Sequence, residues 1–174
     1  MSTINLPDLV ISTFTKGLTT LAHVLATAEL YAKEKGIDVD PFVQGRLIED
    51  QLPLAFQVQS ISRVVQTNLG RLSGETPTKF EDNEKTFEDL KNRVQRTQEL
   101  VKTFDITKGQ GREGNELELT IDSVNHKITL QNFMLNQALP NFFFHNSMAY
   151  AILRAKGVPL GKKDWLGGFL GLEL

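Results

Sequence analysis

The chain has 174 residues, 40% of them apolar and 23% charged, with three histidines, no cysteine and a net charge of −2. That length is one domain's worth, and folding buries roughly 70% of the unfolded chain's surface, enough for a core with room for a cavity. The missing cysteines exclude disulfides, thiolate metal sites and a cysteine nucleophile. Lysines and arginines are scattered among acids without a basic stripe, so no nucleic-acid partner is expected. The opening "MSTINLPDLVISTF" lacks a basic n-region and no run approaches ~18 apolar residues. A cytoplasmic protein without signal peptide or membrane association is therefore expected.

Apolar residues recur at Leu6, Leu9, Val10, Phe14, Leu18, Leu21, Leu25, Ala28 and Ala32, one helix face that ends at Gly36. Asp40 followed by Pro41 reads as a helix start. The stripe Val43, Leu47, Leu54, Val58, Ile61, Val65, Leu69 and Leu72 then predicts a long second helix, with Pro53 inside it and Gly74 as its stop. Phe87, Leu90, Val94, Thr97, Val101 and Phe104 alternate at three and four, predicting a third bundle helix with Glu88, Lys91 and Arg96 on its solvated face. The run "GQGREG" lacks the Gly-Lys-Ser/Thr ending of a phosphate loop. "ELELTI" and "HKITL" around "DSVN" predict a β-hairpin before the last helix, which is expected from about Asn141 to Lys156. The tail "GVPLGKKDWLGGFLGLEL" reads as an irregular segment anchored by Val158, Leu160, Trp165, Leu166 and Phe169 and packed over a bundle end. The fold class is all-α: a four-helix bundle over residues 1–174, with a small hairpin between its third and fourth helices.

Bundles place sites where polar residues interrupt apolar stripes. On the second predicted helix Asp50, Leu54, Gln57 and Ile61 are spaced four, three and four, putting a carboxylate and an amide on the inward face. Arg46 stands four residues before Asp50, within salt-bridge reach, and Pro53 should kink the helix beside them. In "PNFFFHNSMAYAILRAKG", His145 shares its face with Asn141, Phe142, Met148, Ala149 and Ile152 and points inward. It is either a satisfied core histidine, a metal ligand or the catalytic group of a pocket. His23 lies about 200° around its helix from Leu21, off the apolar stripe, and His126 sits in the hairpin, where exposure is expected. A metal site wants three or four ligands, commonly two histidines one turn apart, but the position one turn after His145 is Ala149. Ser147 lies on another face and no Gly-x-Ser-x-Gly elbow exists. General acid–base chemistry remains.

The segments "RLIEDQLPLAFQVQSISR", "RLSGETP" and "LPNFFFHNSMAYAILRAKGVPLGKKDWLG" resemble an uncharacterised domain family within the DinB/YfiT-like metalloenzyme superfamily. The likeness covers nearly the whole chain, and Tyr150, Arg154, Lys162 and Asp164 fall in its most specific block. The resemblance implies a four-helix bundle. For the wider superfamily it implies a divalent metal held by three histidines, one on the second helix and two a turn apart on the last, with transfer or isomerisation involving small thiols. Here His145 falls where one last-helix histidine would lie, Ala149 occupies the next turn, and the second helix offers Gln57 and Gln59. Arg154 and Asp164 could tie the tail to the last helix.

The sequence thus points to a small-molecule enzyme with an apolar pocket between the second and last helices. Its chemistry would be of isomerase, dehydratase or cyclase type. His145 would be the acid or base, Asp50 and Arg46 a pair orienting it or the substrate, and Gln57, Tyr150, Phe143 and Met148 substrate-binding residues. The alternatives are a metal-dependent transferase or isomerase, with a divalent metal as cofactor, and a noncatalytic bundle that binds a small molecule or forms a homodimer.

Overall fold

The computed structural model describes residues 5–172. Helix α1 spans Leu6–Lys35, the span its periodicity predicts. It is closed at both ends by chemistry legible in the sequence. The Asn5 side chain accepts the Asp8 amide at 2.9 Å, and Gly36 takes the left-handed conformation with φ 65°, sending its N–H back to the carbonyls of Ala32 and Lys33. An 18-residue window of α1 has mean hydropathy 1.3, so by length and composition it could cross a membrane. In this fold its stripe from Val10 to Ala28 is instead buried in the protein's own core.

The second helix departs from expectation. Asp40–Gln44 forms only a short 3₁₀ turn, the chain leaves it extended at Gly45, and α2 runs Leu54–Ser73 with Pro53 as its extended N-cap. A proline excludes the helical conformation from the residue before it, so Leu52 ends any approach from the N-terminal side. Pro53 therefore starts a helix and does not kink one. Asp40 caps a different helix: its carboxylate accepts the Phe87 amide at 2.8 Å, at the start of α3 (Phe87–Lys102). A Thr86–Asp89 capping box completes that start.

After a 3₁₀ turn at Ile106–Gly109, strands β1 (Glu116–Ile121) and β2 (Val124–Thr129) pair antiparallel, from Glu116 opposite Thr129 to Ile121 opposite Val124. The two-residue turn, Asp122 and Ser123, has φ of 47° and 67°, as a tight hairpin of this twist requires. The last bundle helix begins earlier than the sequence suggested. It enters as α4 (Leu130–Phe133), widens into a π turn over Met134–Ala138, and continues as α5 (Leu139–Ala155). Pro140 has no N–H for the Asn136 carbonyl and its ring crowds that position. The wider turn just before it, closed by Leu139 N–H to Met134 O, accommodates this.

Helices α1 and α2 each border both α3 and α5, so they occupy opposite corners of a four-helix bundle. The tail is not irregular: Lys162–Leu170 forms α6, which packs along α1. The approach depends on Gly168, where a Cβ would lie 2.8 Å from the Lys16 carbonyl and 2.5 Å from Thr20 Oγ1. Asp164 accepts from His23 at 2.8 Å, while Arg154 donates to the Leu160 carbonyl. Tail and bundle are thus tied through His23 and not through an Arg154–Asp164 pair.

The α2–α3 connection is held by a buried cation. Arg93 has a fully buried side chain; it contacts Glu84 at 2.7 Å and the Glu81 carbonyl at 2.8 Å, and its Nη2 lies 2.8 Å from Asp82 without hydrogen-bond alignment. Glu84 also accepts from Gln59 on α2 at 2.8 Å. Removing one partner of a buried pair strands the other charge in low dielectric, whereas an exposed pair is worth little. Glu84→Ala should therefore cost about 3–5 kcal/mol, a fall in melting temperature on the order of 10 °C, while Glu88→Ala, which loses an exposed contact to Lys91, should cost under about 1 kcal/mol. Equal losses in thermal unfolding of the two variants would contradict this assignment.

Candidate active site

The site begins where α2 begins. Because Pro53 opens the helix, the Leu52 carbonyl lies outside the helical ladder, and Gln57, in the next turn, reaches back to it with Nε2 at 3.0 Å. Gln57 is only 3% exposed. With its amide nitrogen committed to a carbonyl, its Oε1 faces His145 Nδ1 at 2.8 Å. An amide oxygen only accepts, so Nδ1 carries the proton and Nε2 is the basic nitrogen of the neutral ring. Nε2 has no hydrogen-bond partner among the described residues. Burial pushes the His145 pKa below its ordinary value, and the Arg63 charge adds to the effect. The ring is flanked edge-on by Phe144 at 5.2 Å and Phe56 at 6.1 Å between centroids.

His145 lines a cleft of about 250 Å³ between α2 and the π turn and first turns of the last helix. Gln137, Asn141 and His145 are spaced four apart and form one wall. The opposite wall is the α2 stripe Ser60, Val64, Thr67 and Arg71, spaced four, three and four, with Arg63 and Asn68 beside it. The cleft is polar and open, not the apolar cavity expected from the stripe pattern.

Of the residues singled out in the sequence, the fold brings together His145 and Gln57. Arg46 and Asp50 are exposed on the segment between the 3₁₀ turn and α2, do not line the cleft and do not pair with each other; Arg46 donates to the Gln51 carbonyl at 2.6 Å. Their predicted place facing His145 rested on a helix that Pro53 prevents. Phe143 turns the other way, packing with tilted rings against Phe169 at 5.6 Å and Trp165 at 6.4 Å of α6. Met148 accepts through sulfur from Gln51 Nε2 at 2.9 Å, and Tyr150 packs half-buried on the core. Neither lines the cleft. His126 is exposed, in keeping with its place in the hairpin.

Sequence reasoning passed over Arg63, Asn68, Arg71 and Gln137. The signal was present: Ser60, Thr67 and Arg71 recur at helical spacing one row beside the aliphatic stripe, a polar band on a helix otherwise buried nearly all round. Arg63 pairs with Asp82 and donates to Ser60 Oγ at 2.8 Å, lying over the Phe56 ring. Arg71 lies 4.2 Å over the centroid of Phe133 and donates to Asn68 Oδ1 at 3.2 Å.

These residues do not fit the divalent metal that the resemblance implies. Among the described residues no three His, Cys, Asp or Glu side chains gather to hold an ion. The one imidazole nitrogen left over by Gln57 faces a cleft whose charged groups are arginines, and the position a turn after His145 is the fully buried Ala149. Nitrogen and carboxylate donors are missing where a metal would need them.

No curated protein matches the chain at a significant level. A crystal structure of a DinB family member from Shewanella denitrificans is similar at 32% identity, with a TM-score of 0.83, covering 93% of this chain and 92% of that one. The domain of unknown function DUF1993 matches residues 6–166. The chain therefore belongs to the DUF1993 family and has the DinB-like helical fold.

Proposed function

We propose that this protein is a small-molecule enzyme performing acid–base chemistry at His145 on a substrate seated between α2 and the last helix. The observation that carries the reading is the chain of hydrogen bonds from the Leu52 carbonyl through Gln57 to His145 Nδ1, which leaves Nε2 unprotonated beside an open cleft. A base whose pKa lies below its usual 6.5 is deprotonated at neutral pH without help from a carboxylate. It takes a proton at Nε2 while Gln57 holds the ring; Arg63 disfavours the resulting imidazolium, which hastens return of that proton to another substrate atom. Removal and return of one proton is the chemistry of isomerisation, dehydration or cyclisation. A metal-dependent transferase of the DinB type has no donor set here to support it.

Two measurements test this reading. In nitrogen-15 NMR, His145 should titrate below the usual histidine value and its neutral form should be the Nδ1–H tautomer; the Nε2–H tautomer, or a pKa above 6.5, contradicts the Gln57 assignment. The linked effect on stability has a definite sign. As pH falls below about 6.5 the unfolded chain binds a proton that the folded His145 resists, so the stability difference between wild type and His145→Asn should shrink toward the depressed pKa.

The second is catalytic. Carbonyl and aromatic compounds that raise the melting temperature would be assayed for turnover. His145→Asn should lower kcat about 10²–10⁴-fold while the ligand-induced shift persists. Turnover retained in that variant would remove His145 from the chemistry.

A further inference from the structure

The cleft beside His145 carries a cation that the protein does not neutralise. Arg63 is paired with Asp82. Arg71, by contrast, has no carboxylate within ion-pair distance among the described residues, and no Asp or Glu lines the cleft. The guanidinium is nevertheless held in place. Phe133 backs its face, and Asn68, itself 2% exposed and anchored by Nδ2 to the Val64 carbonyl at 2.7 Å, accepts one of its N–H groups. Burial works against this charge without removing it, since an arginine stays protonated in proteins. A half-buried, oriented and uncompensated guanidinium is costly unless an anion joins it. Across the cleft, the amides of Gln137 and Asn141 make no side-chain hydrogen bond to the protein among the described residues, so both have donors and acceptors to offer. They sit on the π turn and the turn after it, and such widened turns recur at functional sites.

We infer that the cleft binds a small substrate bearing a carboxylate or phosphate group, whose oxygens seat on Arg71 with the amides of Gln137 and Asn141 while the adjoining carbon framework lies against His145. A volume of about 250 Å³ falls just below the usual range for ligand pockets and suits a small organic acid or phosphate ester better than a large cofactor. The planar fork of Arg71 can grip two oxyanion oxygens at once, which fixes orientation as well as charge. With the anion held there, the carbon next to it is the one presented to the acid–base group.

This assignment rests on the same cleft as the acid–base reading, but its test is binding alone. Inorganic phosphate and acetate would be titrated separately at ionic strength matched with sodium chloride, following backbone amide shifts and the Arg71 side-chain Nε resonance. At least one anion should saturate with shifts centred on Arg71, Gln137, Asn141 and His145, and the stronger of the two distinguishes a phosphate from a carboxylate substrate. Affinity should fall about tenfold or more in Arg71→Gln and stay within about twofold in Arg46→Gln, which alters an exposed arginine outside the cleft. Should Arg71→Gln unfold, the wild-type shift map still decides. Shifts absent, unsaturable or scattered over surface lysines, or an affinity unchanged in a folded Arg71→Gln, overturn the inference. Anion binding that survives in His145→Asn together with full turnover would sink the acid–base reading and leave the anion site standing.

Discussion

A buried amide with both ends spoken for governs the candidate site. Gln57 has almost no exposure, and its side chain cannot flip without setting a donor against the imidazole's own N–H and an acceptor against the Leu52 carbonyl. Leaving two buried polar groups unsatisfied costs about 1–3 kcal/mol each, so one orientation dominates. That orientation chooses the histidine tautomer, and the tautomer chooses which nitrogen can act. The Leu52 carbonyl is available only because Pro53 makes α2 start where it does. A single proline thus acts on the candidate site through two successive hydrogen bonds.

A second buried polar system does a different job. Arg93, Glu84 and Gln59 join α3, the connecting segment and α2 in an arrangement where each charge has a partner, while a neutral hydrogen bond of 2.9 Å between Ser62 and Thr97 links the same helices and is extended within α2 by Gln66, which donates to Ser62 at 2.7 Å. These groups find their charge partners and most of their hydrogen bonds within the protein, and they fix how the helices pack. Asp82 links this system to the cleft: it contacts Arg93 from one oxygen and Arg63 from the other. Arg63 is thereby held near His145 with a carboxylate against it, whereas Arg71 has none among the described residues.

The helical stripes were readable because each needs only local regularity. The apolar residues of α1 recur without interruption and its caps are local, so its ends were legible to the residue. The second stripe was equally regular, and that regularity misled: Val43 is buried at 1% exposure as a helix-period reading requires, but it arrives there from a 3₁₀ turn, and Leu47, on the same stripe, is exposed. Periodicity alone could not weigh the cost of Pro53 against the stripe's continuity. The same limit placed Asp50 and Arg46 in the site, since both depended on the helix continuing. His145 and Gln57 met because each lies on an uninterrupted helix facing the other. Arg71 and Asn68 stayed hidden for a different reason: on a single helix, a polar row beside an aliphatic one looks like solvent-facing surface, and only the arrival of Gln137 and Asn141 from 70 residues along the chain turns it into a wall of a cleft. The π turn that delivers Gln137 could be inferred only from Pro140, a residue equally compatible with a fresh helix start, which is how the sequence suggested it.

The electrostatics of the cleft disfavour a divalent metal. A divalent ion in the cleft would be repelled by the Arg71 guanidinium, which no carboxylate neutralises among the described residues. Three good ligands could overcome such a term, but one imidazole nitrogen could not. The same field acts with opposite sign on a carboxylate or phosphate. With an amide at Gln57 and a methyl at Ala149 where imidazoles would be needed, and arginines along α2, the cleft offers no ligand set for a cation among the described residues and favours an anion. On the proposed reading His145 is left as a base whose free nitrogen faces the side of the cleft that an anion would occupy.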